Sequence, residues 1–152
     1  MPSRPTAATE EAWHALLVAH SRLLPQLDSE LRRSHDLPLE WYDVLVQLAQ
    51  AGGTLTMGQL AGRLLIGASR CSRRVDRMVD VGLLERRRDE RDSRVIHARL
   101  TDPGRALQRR AAATHLEGVQ THFGRFLDDD LATRMGRSLR AAVADLEPPS
   151  RS

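Results

Sequence analysis

Two helical segments directly followed by a hairpin lie near the middle of the chain, and few folds accommodate that order. Thr56-Met-Gly-Gln59 has the pattern of a capping box, which predicts a short helix ending near Leu64. Residues 65–68 include a glycine and predict a tight turn. A further helix is predicted over residues 69–81, because Gly82 follows it in the position of a left-handed C-cap. Two helices joined in this way form a helix-turn-helix.

The residues after Gly82 have the pattern of a β-hairpin. Residues 83–88 and 95–100 are predicted as two short strands, since apolar and polar side chains alternate in the second of them. The charged segment 89–94 between them predicts an exposed tip. A helix-turn-helix followed by such a hairpin is typical of a winged helix-turn-helix, so we assign residues 54–100 to a DNA-binding lobe of this kind.

Amphipathic helices are predicted on both sides of this lobe. The first should begin after Thr9 and extend to about residue 35, and Pro25 should kink it or split it in two. The other three are predicted over residues 39–50, from the capping residue Thr101 to about Leu127, and from the acidic residues 128–130 onwards. The predicted order is α-α-α-α-β-β-α-α, a mainly α fold with a small β-hairpin wing.

The terminal helices have more apolar surface than this small lobe can cover. Their apolar stripes contain Trp13, Leu16, Leu17, Leu24, Leu27 and Leu31 in the first helix, and Leu131, Met135, Leu139, Ala142, Val143 and Leu146 in the last. A second copy of the chain would bury the excess, which predicts a homodimer. We therefore assign residues 9–35 and 102–147 to a helical dimerisation region, with the whole of residues 1–152 as one domain.

Positive charge is concentrated in the middle third of the chain. The formal net charge is only +3, but residues 63–110 contain 14 Arg against 7 Asp and Glu, whereas the segments on either side are net negative. Every basic residue is arginine, which suits phosphate and guanine but also reflects biased genome composition in many chains. The location of the charge is the stronger signal, and it predicts double-stranded DNA as the partner.

The helix predicted over residues 69–81 concentrates this charge on one face. Four arginines follow each other there at positions i, i+3, i+4 and i+7, namely Arg70, Arg73, Arg74 and Arg77. We expect them to contact bases and phosphates in the major groove, with Ser69 and Ser72 donating to phosphates. The alternative is an exposed charged face that Asp76 and Asp80 partly neutralise.

The hairpin tip carries arginines and acids together. Arg91 and Arg94 are expected to enter the minor groove, which favours arginine. Asp89 and Asp92 are expected to organise the tip by pairing with these arginines, because no apolar pocket residues beside them suggest acid–base catalysis.

Several segments of the chain closely resemble the MarR family of bacterial transcription regulators. They are residues 82–94 (GLLERRRDERDSR), 100–105 (LTDPGR), 41–45 (WYDVL) and the region from Leu60 to Met78, with Asp89-x-Arg91-Asp92 as the most specific pattern. The resemblance implies an obligate dimer, held together by the first, fifth and sixth helices, that binds a pseudo-palindromic operator. It also implies a repressor that is released by a small, often aromatic, anionic ligand.

The same resemblance places the ligand between the dimerisation helices and the DNA-binding lobe. Candidate ligand-binding residues are Trp13, His14, His20, Trp41 and Asp43. The alternative is that the tryptophans belong to the dimer core and Asp43 forms a structural salt bridge. A constitutive or architectural DNA-binding protein without an effector would also fit the residues.

No pattern of catalytic or cofactor-binding residues accompanies these motifs. The chain has no Gly-rich phosphate loop, no nucleophile with matching histidine and acid, and six histidines without metal-ligand spacing. We therefore expect no enzyme activity, no cofactor and no metal. The single cysteine, Cys71, excludes an internal disulfide, and no long uncharged apolar run is present, so we expect a cytoplasmic protein with no membrane partner.

Overall fold

The computed structural model describes residues 4–144 and residue 146. Its elements are α1 (Ala7–His35), α2 (Leu39–Gln50), β1 (Thr54–Thr56), α3 (Met57–Leu64), α4 (Ala68–Asp80), β2 (Leu84–Arg88), β3 (Ile96–Leu100), α5 (Asp102–His122) and α6 (Asp129–Ala144), with a 3-10 helix at Gly124–Phe126. The mainly α fold with a small wing is confirmed. Residues 145 and 147 of the predicted dimerisation region lie outside the described residues.

The sheet has one strand more than the sequence predicts. β1 pairs antiparallel with β3, with Thr54 opposite Arg99 and Thr56 opposite His97, so that the strand order is β1-β3-β2. The predicted order of elements is wrong in omitting β1. A strand of three residues, of which the last is the N-cap of α3, is too short to show an alternating pattern, and its partner strand lies more than 40 residues away in the sequence.

One hydrophobic core holds the DNA-binding lobe to the flanking helices. Its fully buried side chains come from all the α-helices but α6, from β2 and β3 and from the loop before α2, and the largest are Leu31, Leu37, Leu45, Leu48, Leu60, Met78 and Leu84. In α4, Cys71, Val75 and Met78 face this core. Because these three positions occupy one side of the helix, its arginines are left on the other side.

The first helix starts earlier than predicted and ends where predicted. α1 begins at Ala7, three residues earlier than predicted, because Thr6 and not Thr9 is the N-cap: the Thr6 hydroxyl accepts a hydrogen bond from the Thr9 N–H at 3.2 Å. The helix continues through Pro25 to His35 without being split. Asp36 ends it in the left-handed conformation, with φ of 51°.

The turn between α3 and α4 depends on a leucine. The capping box at Thr56 and Gln59 is present, with both hydrogen bonds formed, as predicted. The residue with positive φ is Leu65 (55°), while Gly67 is the N-cap of α4 with φ of −66°. α4 itself begins and ends one residue earlier than predicted, and Gly82 follows in the predicted left-handed conformation.

The fifth helix is shorter than predicted. It starts at the predicted cap, where the Thr101 hydroxyl donates to the Gly82 carbonyl at 2.6 Å and accepts from the Gly104 N–H at 3.1 Å. It ends at His122 and not near Leu127, because the backbone leaves the helical region at Phe123 and a 3-10 turn intervenes. The sixth helix then starts with Asp128 accepting from the Leu131 N–H at 2.8 Å.

Candidate nucleic-acid interface

The outer face of α4 presents three of its four arginines to solvent. Arg70, Arg73 and Arg77 are exposed. Arg74 differs, because its Nη2 lies 2.7 Å from Glu40 Oε2 in α2 and only 12% of its side chain is exposed. The structure thus brings the four predicted residues onto one face, but one of the four positive charges is already paired.

The N-terminus of α4 is open. Its N-cap is Gly67, which provides no side-chain acceptor for the first backbone N–H groups. Ser69 is exposed beside these groups, whereas the half-buried Ser72 accepts a hydrogen bond from Arg86 at 2.9 Å through its Oγ and keeps its own proton to donate. Unpaired N–H groups at a helix N-terminus suit a phosphate.

The wing tip is ordered by two aspartates. Asp89 Oδ1 accepts from the backbone N–H groups of Arg91 at 2.8 Å and Asp92 at 3.0 Å, and these bonds lower the pKa of Asp89. Asp92 Oδ1 accepts from the Nε of the Arg94 side chain and from its backbone N–H, each at 3.1 Å, and these bonds lower the pKa of Asp92. The carboxylates therefore shape the turn, while 90% of the Arg94 side chain stays exposed.

The arginine that joins the wing to α4 is not among the residues predicted from the sequence. Arg86 Nη2 lies 2.8 Å from Asp76 Oδ1 and 2.9 Å from Ser72 Oγ, and it also donates to the Ser72 carbonyl at 3.2 Å. The signal that could have revealed it is the alternation in β2. Arg86 is two residues from the buried Leu84 and so shares its inward face, where a charged side chain needs a partner.

Comparison with known proteins identifies this arrangement. Residues 35–95 match the model described as MarR family. The structure superposes with a TM-score of 0.90 on Sco3205 from Streptomyces coelicolor, a MarR family transcriptional regulator solved in complex with DNA. The sequences are 30% identical, and the match covers 98% of this chain and 94% of Sco3205. The chain belongs to the MarR family.

Two further transcriptional regulators are similar to this chain. AbsC, a MarR family transcriptional regulator from Streptomyces coelicolor, superposes with a TM-score of 0.88 at 28% identity, covering 95% of this chain and 98% of AbsC. The HTH-type transcriptional regulator PecS of Dickeya dadantii (strain 3937) is 27% identical over 112 residues, which make up 72% of this chain and 68% of PecS. The protein is a DNA-binding transcription regulator of the MarR type, with a winged helix-turn-helix.

The five candidate ligand-binding residues of this MarR-family chain lie on two helices. Trp13, His14 and His20 are exposed on the first half of α1, and Trp13 is 62% exposed. On α2, Trp41 is half-buried against the core, whereas Asp43 keeps contact with solvent. No hydrogen bond or ion pair within residues 4–144 joins the two groups, and Asp43 has no ion pair there either.

Asp43 is next to Tyr42 in α2, whose ring contacts His115 in α5. The rings of Tyr42 and His115 are 4.8 Å apart at an angle of 42°. His115 Nδ1 is buried without a hydrogen-bond partner among the described residues, and burial lowers the pKa of His115 while Asp43 opposes this change. Partial burial raises the pKa of Asp43, against the opposing charges of His115 and Arg74. The ring contact therefore joins α2 to α5, and Arg74 of α4 influences Asp43 through its charge.

The helices of the predicted dimerisation region expose apolar side chains. The largest exposed ones in these helices are Trp13, Leu16, Leu17 and Leu24 in α1, Leu116 in α5, and Leu131, Leu139 and Val143 in α6. α6 buries none of its residues against the described part of the chain. In that same part, no helix is long and apolar enough to cross a membrane, and no three His, Cys, Asp or Glu side chains are grouped as metal ligands.

Proposed function

We propose that the protein is a homodimeric repressor that binds a pseudo-palindromic operator and is released from it by a small aromatic or anionic ligand. The observation that carries this proposal is the arrangement of α4 and the wing. An exposed arginine face with an open helix N-terminus lies beside a hairpin that presents two further arginines, and winged helix-turn-helix proteins use these parts to bind adjacent grooves.

The proposed contacts to DNA follow from exposure. Arg70, Arg73 and Arg77 are assigned to the major groove, and Arg91 and Arg94 to the minor groove and its rim. Ser69 and Ser72 are assigned to phosphates at the N-terminus of α4. Arg74 is retained as a contact, although it reaches a phosphate only by exchanging the carboxylate of Glu40 for it.

The dimer is supported by the exposed apolar side chains of α1, α5 and α6. A helix such as α6, with an apolar stripe and no buried residue, is stable only when another surface covers that stripe. We assign this role to a second copy, through residues 9–35 and 102–147, with residues 54–100 as the DNA-binding lobe. A two-fold dimer would place two recognition helices about one turn of DNA apart, roughly 34 Å.

The effector is supported by the polar group around Asp43. A ligand bound beside Asp43 and His115 would meet the ion pair between Arg74 and Glu40, and thus the recognition helix itself. Trp13, His14, His20 and Trp41 are the proposed aromatic and polar walls of this ligand site. A ligand shifts the population away from the DNA-binding form only if it binds the two forms with different affinity.

The first test is a titration of the protein with DNA from directly upstream of its own gene, at several salt concentrations and with unrelated DNA as competitor. We expect tight binding that weakens steeply with salt and survives the competitor. Equal affinity for unrelated DNA would indicate the architectural alternative. No binding at any salt concentration would overturn the proposal.

The effector is tested separately by thermal unfolding in the presence of a panel of aromatic carboxylic acids. A ligand that binds only the folded protein raises the melting temperature, and the increase grows with the logarithm of the ligand concentration above its Kd. The same compound should release the bound DNA. The Asp43→Asn variant should lose this response and keep its affinity for DNA. If no compound stabilises the protein or releases DNA, the ligand part of the proposal fails and the repressor is constitutive.

A further inference from the structure

One arginine of β2 has surroundings unlike those of its neighbours. Arg87 and Arg88 are exposed, whereas Arg86 is half-buried and turned towards α4. Its Nη2 atom contacts Asp76 Oδ1 at 2.8 Å, Ser72 Oγ at 2.9 Å and the Ser72 carbonyl at 3.2 Å. Since Ser72 and Asp76 are four residues apart, one nitrogen of the wing contacts a full turn of the recognition helix.

The position of Arg86 is energetically unfavourable in one respect. Its Nε is buried and has no hydrogen-bond partner among the described residues. A buried donor without a partner is unfavourable, and an arginine that only neutralised Asp76 at the surface could keep this group in water. The arrangement is therefore better explained by a requirement for the guanidinium to stay at one place between the wing and α4.

We propose that Arg86 is a positioning residue that fixes the angle between the wing and α4, so that both reach adjacent grooves of DNA together. The inference rests on the DNA-binding surface proposed above. β2 leads directly into the tip that presents Arg91 and Arg94, so a shift at Arg86 moves both away from the groove. Asp76 serves as its anchor on a helix where a free negative charge would repel DNA.

The role of Asp76 as an anchor can be tested by asking whether removal of its negative charge weakens or strengthens DNA binding. Asp76→Asn and Asp80→Asn each remove one negative charge from α4, and Asp80 forms no ion pair within residues 4–144, so it is the matched control. Electrostatics alone predicts tighter DNA binding by both variants. Asp76→Asn keeps an acceptor oxygen but loses the negative charge that strengthens its bond to Arg86, so we expect it to weaken binding to the operator about tenfold. Asp80→Asn should bind equally or more tightly. Tighter binding by both variants would overturn the proposal.

The route through the wing is tested by a double-mutant cycle on Arg86. Arg86→Lys keeps the charge but loses the planar guanidinium, so its affinity for the operator should fall in the otherwise unchanged protein. In a variant that already carries Arg91→Ala and Arg94→Ala, the same substitution should have little further effect. Additive losses would show that Arg86 acts on DNA directly or only through overall stability, and would contradict a positioning role.

A measurement without DNA separates this inference from the proposed function. Amide hydrogen exchange at residues 89–94 should become faster in Asp76→Asn and stay unchanged in Asp80→Asn, with equal melting temperatures showing that both variants are folded. Faster exchange in a protein that binds no DNA would support the link between wing and helix while the proposed function fails. Unchanged exchange in Asp76→Asn would overturn the link even in a protein that binds its operator.

Discussion

The guanidinium of Arg74 in α4 and the carboxylate of Glu40 in α2 form an ion pair, with 2.7 Å between Nη2 and Oε2. Arg74 Nη1 also lies 3.5 Å from the Glu40 carbonyl oxygen. The pair joins the recognition helix to the start of α2 and removes one of four positive charges from the face that α4 offers to DNA. Arginines at successive turns of one helix therefore have different roles.

Arg73 and Arg74 should respond differently to substitution. Arg73→Ala is expected to leave the free energy of unfolding within about 0.5 kcal/mol, because its side chain is exposed, and to reduce the salt slope of DNA binding by about 1. Arg74→Ala should lower stability by about 1 kcal/mol through the lost pair and packing, with a smaller change in salt slope. Denaturant unfolding and DNA titration measure both. Equal slope changes would show that Glu40 does not hold Arg74 back from DNA.

Substitution at the wing tip should weaken DNA binding without affecting the fold. Arg91→Ala removes an exposed charge, so we expect lower affinity and a salt slope that is shallower by about 1. Arg137→Ala, on the side of α6 away from its apolar stripe, is the control and should bind as the unchanged protein does. Affinity that is unaffected by Arg91→Ala would exclude the wing tip from DNA binding.

The features that are predicted correctly from the sequence are those formed by local hydrogen bonds. The capping box at Thr56 and Gln59 and the left-handed Gly82 involve residues at most five positions apart, so their pattern is complete within a short segment. The four arginines of α4 could be placed on one face for the same reason. The local chemistry of one helix and one turn suffices for these predictions.

The features that could not be predicted from the sequence depend on contacts between segments that are distant in the chain. Arg74 and Glu40 are 34 residues apart and Arg86 and Ser72 are 14 apart, so nothing in either local pattern reveals the partner. β1 likewise exists only because β3 pairs with it. Which arginines face DNA and which hold the lobe together is therefore decided by tertiary packing.

The hydrogen bonds of Asp89 make the wing tip sensitive to acid. The pKa of Asp89 is lowered in the folded protein by the N–H groups of Arg91 and Asp92, so its stabilising contribution is complete above the unfolded pKa of about 3.9 and is lost as the pH falls through the lower folded pKa. NMR signals of the two amides should accordingly titrate below pH 3.9. Asp89→Asn, which keeps the acceptor oxygen, should abolish this titration. A midpoint at or above 3.9 would contradict the proposed hydrogen bonds.

The close contact between α5 and the start of the wing should not tolerate a side chain at Gly104. A Cβ added there would lie 2.1 Å from the Leu83 carbonyl oxygen, which is backbone and cannot move aside cheaply. Gly104→Ala should lower the free energy of unfolding by about 1–3 kcal/mol. Gly62→Ala in α3 has open space around its Cβ and should raise stability by up to about 1 kcal/mol. Denaturant unfolding of both variants at one protein concentration measures the two changes in the free energy of unfolding. Changes of the same sign would contradict the prediction.

A charge placed on the apolar stripe of α6 should separate the dimer. Leu139 and Val143 are exposed in the single chain, so a carboxylate at Leu139→Asp costs little there but much when a second copy covers it. Light scattering should give twice the chain mass of 17.0 kDa for the unchanged protein and one chain mass for the variant. Thr133→Asp adds the same charge on another side of α6 and should remain dimeric. If Leu139→Asp also remains dimeric, α6 does not form the interface, and its apolar stripe must be covered by a different partner.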